Sequence, residues 1–87
     1  ADYLLSDERV QLEYIIDRLS GKPGLKDSSR VRRMREGLSG GVVQMADFRE
    51  YFEFLETLVE DLPDQGFAVT IKNRLERLRT LSEAHAL

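Results

Sequence analysis

The chain contains no cysteine and no tryptophan, only two prolines, and a single histidine. Absence of cysteine excludes disulfides, zinc–thiolate sites and thiol nucleophiles together. The lone His85 is a poor candidate for a buried general base, and nothing else in the chain completes a nucleophilic arrangement. No apolar run approaches the length of about 18 residues that a membrane span needs. The opening residues Ala1-Asp2-Tyr3-Leu4-Leu5 lack the basic start and apolar core of a secretory signal. Positive charge is not in excess either. The net charge is −3, so the global basic field that usually marks a nucleic-acid binder is missing.

The remaining composition is that of a folded chain, with 41% hydrophobic and 33% charged residues. A length of 87 residues allows one domain, 1–87. A domain this small buries only part of its unfolded surface, so a lone core is marginal. With disulfides excluded, association is the expected supplement. A cysteine-free chain is compatible with the reducing cytoplasm, which is the expected location.

Apolar spacing predicts four helices. The first covers 6–19, with Ser6 as its cap, Asp7 and Glu8 at its positive end, and Leu12, Ile15, Ile16 and Leu19 on one face. Ser20-Gly21-Lys22-Pro23-Gly24 stops it. The second covers 27–38, capped by Asp27, Ser28 or Ser29, with Val31, Met34 and Leu38 as its stripe and Gly37 and Ser39-Gly40-Gly41 ending it. The third, 42–62, carries Met45, Phe48, Phe52, Leu55, Val59 and Leu62 at alternating spacings of three and four, a pattern suited to helix–helix packing. Tyr51, Phe54 and Leu58 widen that stripe beyond a single seam. The fourth covers 66–84, with Asp64 as its cap, Phe67, Ile71, Leu75 and Leu78 inward, and a frayed His85-Ala86-Leu87 tail. Val42-Val43 and 67–71 are the only short stretches rich in β-forming residues, and the helical stripe continues through the second of them.

The expected fold is therefore all-α: a four-helix antiparallel bundle of two similar hairpins, about 6–38 and 42–84. The similarity is partly legible in the letters. Leu12-Glu13 recurs 43 positions later as Leu55-Glu56, and Ile15, Ile16, Asp17 and Leu19 match Leu58, Val59, Glu60 and Leu62. After each loop, Arg30-Val31-Arg32-Arg33-Met34-Arg35 resembles Arg74-Leu75-Glu76-Arg77-Leu78-Arg79, now 44 positions on. A duplicated helical hairpin would bury by pairing the apolar face that each copy leaves wet. Charge alternates along the same order: −2 over residues 7–18, +3 over 26–36, −6 over 47–64 and +3 over 72–79. Neighbouring helices of opposite sign gain only about 0.2–1 kcal/mol per exposed pair, but penalise a wrong helix order or a wrong partner.

No catalytic, cofactor or metal constellation emerges. Glu53, Glu56 and Glu60 share a helix face suited to Mg²⁺, but the fourth helix offers only Glu76 and Glu83 amid arginines as a second set of ligands. A di-iron site wants Glu-x-x-His, and the residue three before His85 is Ser82. Gly21-Lys22-Pro23-Gly24 lacks the spacing and the Lys-Ser/Thr pair of a phosphate loop and reads as linker. A helix-turn-helix reading fails because the third helix, its would-be reader, is acidic. The expectation is a non-enzymatic protein-interaction module or small adaptor, self-associating or bound to a protein partner. Tyr51 and Phe54 are its expected exposed anchors, and Arg30, Arg33, Arg74 and Arg77 its charged rim. The alternatives are a nucleic-acid-associated regulator using both arginine sets on one side and, further off, a metal-dependent helical hydrolase.

Overall fold

The computed structural model describes residues 2–86 as four helices: α1 (Ser6–Ser20), α2 (Ser29–Ser39), α3 (Met45–Glu60) and α4 (Gln65–Ala86). The fold is the all-α four-helix bundle that the periodicity predicts. α1 packs on α2 along one side and on α4 along the other, and α4 packs on α3. One continuous apolar cluster draws on all four helices. Leu12, Ile15, Ile16 and Leu19 are fully buried, because their spacing lets α1 face two neighbours at once. Each such side chain contributes about 1.5–3 kcal/mol on burial.

The matched letters occupy matched places. Leu12 and Leu55, Ile16 and Val59, Leu19 and Leu62, Val31 and Leu75, and Met34 and Leu78 are buried in their respective hairpins. The correspondence breaks at Ile15, which is fully buried, and Leu58, which is only half-buried. The cause is the surroundings: α1 has two close neighbours, whereas α3 has one.

Two of the expected helix caps are in place. The Ser28 hydroxyl accepts a hydrogen bond from the Val31 amide (3.4 Å), and Asp64 Oδ1 accepts one from the Phe67 amide (3.1 Å). The cap of α1 differs. Ser6 lies inside the helix and Leu5 occupies the capping position, so the Glu8 carboxylate reaches back to accept the Leu5 amide hydrogen at 3.0 Å. Glu8 is thereby only 2% exposed, a carboxylate buried at the positive end of a helix.

The third helix starts later than its stripe suggests. Residues 42–44 are extended: the Leu4 amide donates to the Val43 carbonyl and the Met45 amide to the Asp2 carbonyl, both at 2.8 Å, around an isolated antiparallel bridge between Tyr3 and Gln44. β-branched valines following the positive φ of Gly41 favour this extended run over a helical turn. It buries Val43 against the bundle and ties the N-terminal segment to it. Gly37 does not end α2, which continues to Ser39. α4 runs through His85 rather than fraying there, while Leu87 lies outside the described residues. Its buried stripe is Ala68, Ile71, Leu75 and Leu78; Phe67 sits at the edge, beneath the Lys22 ammonium, 4.1 Å from the ring centroid.

Candidate interaction groove

The stripe that widens α3 points at α2. Tyr51, Phe54 and Leu58 are half-buried along the rim of the core. From α2, the Arg30 guanidinium lies over the Phe54 ring, 5.1 Å from its centroid. Gly37 makes room for Tyr51: a β-carbon at that position would fall 2.5 Å from the phenol oxygen. Burial raises the Tyr51 phenol above its usual pKa, and the Asp47 and Glu50 carboxylates push it the same way against Arg33.

Between these helices runs a groove of about 570 Å³, with Arg30, Arg33 and Met34 along its α2 wall and Glu50, Tyr51, Glu53, Phe54 and Thr57 along its α3 wall. α2 and α3 approach each other much less closely than do the other neighbouring helices. The groove therefore has an apolar floor of Met34 and two half-buried aromatic rings, one basic bank and one acidic bank.

Elsewhere the alternating charges are used inside the fold. Arg35 of α2 pairs with Asp17 of α1 (3.8 Å), Arg79 of α4 pairs with Glu56 of α3, and Lys22 and Asp64 join the two hairpin loops at 4.0 Å. Among the described residues, Arg30, Arg33, Glu50 and Glu53 form no ion pair.

Of the six residues expected to bind a partner, the structure brings four together. Tyr51, Phe54, Arg30 and Arg33 share the groove. The two aromatics were expected to be exposed anchors; instead they are half-buried, with Arg30 of α2 over the Phe54 ring and Gly37 of α2 beside the Tyr51 hydroxyl. Arg74 and Arg77 are not part of this rim. Arg74 lies over the Tyr14 ring of α1 at 4.3 Å, along the α1–α4 seam, and Arg77 is exposed on α4. Arg30 and Arg33 thus line the groove, and Arg74 lies at the α1–α4 seam. Sequence reasoning missed Glu50 as the acidic bank and placed Glu53 in a metal-binding row. Glu56 is engaged by Arg79, and Glu53 stands between the groove and the hollow that it shares with Glu56 and Arg79 on the α4 side of α3.

Among the described residues, one group of carboxylates and histidine is close enough to hold an ion: Asp7, Glu8 and His85, with ligand atoms within 4.8 Å of one another. These atoms already have work. Glu8 Oε1 accepts the Leu5 amide, Asp7 Oδ1 accepts the Glu8 amide, and Asp7 Oδ2 lies 2.9 Å from His85 Nε2. The positive end of the α1 dipole also opposes a cation there. The trio clasps the end of α4 to the start of α1, and the hydrogen bond from His85 holds the Asp7 carboxyl below its ordinary pKa.

A second, more apolar hollow of about 480 Å³ lies where the two hairpin loops meet, lined by Leu25, Leu58, Leu62 and Phe67. No helix among the described residues is long and apolar enough to cross a membrane. The fold defines a four-helix bundle of paired hairpins, a class that carries no activity of its own. No protein-family model, curated protein or solved structure matches the chain.

Proposed function

We propose that this chain is a non-enzymatic protein-interaction module, acting in the cytoplasm, whose α2–α3 groove receives a helical segment of a protein. One observation carries the reading. Where the bundle could have closed α2 on α3, it leaves a cleft lined by aromatic rings and by charged residues of both signs that form no ion pair among the described residues. Interaction sites combine these elements: an aromatic centre, arginines beside it and a polar rim. Amphipathic helices dock on such a surface with their apolar faces on the rings and their charges opposite the banks.

A photo-crosslinking residue at Thr57, exposed on the groove wall, tests this against the same residue at Tyr14, on the closed seam between α1 and α4. The expected result is a defined protein adduct from position 57 and none from position 14. No adduct from position 57, or equal adducts from both positions, would overturn the reading.

A further inference from the structure

We propose that the occupant of the α2–α3 groove is a second copy of this chain, in a two-fold dimer whose axis runs parallel to the helices along the seam. The inference rests on the groove being an interaction site and adds its partner and geometry.

Charge placement on the two banks selects the partner. Arg30 and Arg33 stand on the α2 bank and Glu50 and Glu53 on the α3 bank, all four exposed and none in an ion pair among the described residues. Rotation by a half-turn about an axis parallel to the helices lays α2 of one copy over α3 of the other, and the reverse, at the same height along the bundle. Both arginine pairs then meet glutamate pairs, and the complementarity is satisfied twice by one symmetry operation. A two-fold axis crossing the helices at right angles would instead set α2 on α2 and α3 on α3, with like charges opposed. The charge layout thus admits one of the two arrangements and penalises the other.

The remaining features of the groove agree. Tyr51 and Phe54 line the groove close to such an axis, Phe54 beneath the Arg30 guanidinium, so that association covers their remaining exposed apolar surface. Arg35 and Arg79, which would compete for the glutamates, are already engaged with Asp17 and Glu56. A stable interface removes about 800 Å² from each partner, roughly a seventh of the 5823 Å² this chain exposes, and the long face of a body measuring 36 × 24 × 17 Å can supply it. The exposed surface is also about a tenth larger than a compact monomer of 10.0 kDa presents.

The test is sedimentation equilibrium of the full chain and two charge-reversed variants, R30E/R33E and E50K/E53K, with helical content and melting followed to verify that each folds. The wild type is expected to dimerise, more weakly at high salt, and each variant alone to associate at least about tenfold more weakly. Mixing the two variants in equal amounts is expected to restore the dimer as a one-to-one heterodimer, because both banks become complementary again. A wild type that stays monomeric to millimolar concentration, a variant that dimerises as the wild type does, or a mixture that fails to recover would each overturn the proposal. A monomeric wild type that still crosslinks from position 57 to a different protein would overturn the dimer and leave the groove's interaction role standing.

Discussion

The two hairpins face each other along two seams, α1 against α4 and α2 against α3, which the sequence similarity of the hairpins sets in correspondence. They have not been built alike. The first is closed: α1 contributes four fully buried residues, α4 supplies Ala68, Ile71, Leu75 and Leu78, and the Asp7–His85 contact clasps one end. The second is open, with half-buried Tyr51, Phe54 and Leu58 where the first has Ile15 and its neighbours. Length is part of the cause, because α4 has 22 residues and α2 only 11. Side-chain choice is the rest. α1 places the fully buried Ile15 on its seam, whereas α3 places the half-buried Leu58 beside the larger Phe54 and the polar-tipped Tyr51. Two hairpins of similar sequence can thus be joined by one closed seam and one open seam.

The largest expected effects break the comparison from the closed side. Ile71→Ala should cost about 2–5 kcal/mol in urea unfolding, as deletions at fully buried sites do. Phe54→Ala, measured at low micromolar chain concentration, should cost about 1–2 kcal/mol, because its ring is already partly wet. Equal costs would mean that the α2–α3 seam is core after all.

Next in size is the buried cap that starts the closed seam. Glu8→Ala should destabilise by about 1–2 kcal/mol, since it leaves the Leu5 amide without its acceptor. Glu8→Gln, which keeps an acceptor oxygen, should cost less than half of that. If the two changes cost the same, the carboxylate's charge rather than its hydrogen bond is what matters.

The open seam is sharpened by a cycle at Gly37. Gly37→Ala should bring no gain in the wild type, because the new methyl meets the Tyr51 hydroxyl. In a Tyr51→Phe background the same change should stabilise by about 0.5–1 kcal/mol, the ordinary helix advantage of alanine over glycine. Additive behaviour would show that the phenol does not reach α2.

The smallest effect is at the clasp. Because His85 depresses the Asp7 carboxyl, its contribution is full above the unfolded value near 3.8 and is lost as pH falls through the lower folded value. Asp7→Asn should therefore lower the melting temperature at pH 5–6 and leave it unchanged at the acid end. A variant that melts below the wild type by the same amount at pH 2 would show that the ionised contact is not responsible.

Much of the fold was legible because burial writes itself as spacing. The stripes of Leu12 to Leu19 and of Phe48 to Val59 could be assigned to inner faces before any neighbour was known. What spacing does not carry is which residue meets which. The Asp7–His85 contact joins positions 78 residues apart, and the extended 42–44 run depends on an N-terminal segment pairing with it. Gly37 read as a helix stop because nothing local announces that a tyrosine from α3 needs its missing β-carbon. The placement of Arg74 and Arg77 away from the α2–α3 groove has a geometric root. Matched residues of two hairpins packed face to face fall on opposite seams, so Arg74 lies beside Tyr14 of α1 while Arg30 and Arg33 line the groove. Periodicity put Tyr51 and Phe54 off the main stripe correctly, but could not say that Gly37 and Arg30 of α2 lie against them.

The most direct check on the division between a folding seam and a binding seam is an amide-resolved NMR titration of chain concentration. Signals from 30–37 and 47–57 are expected to move as concentration rises and to return when salt is added, while those of Tyr14, Ile71 and Arg74 stay fixed. Movement concentrated along α1 and α4, or none anywhere up to millimolar chain, would contradict the account.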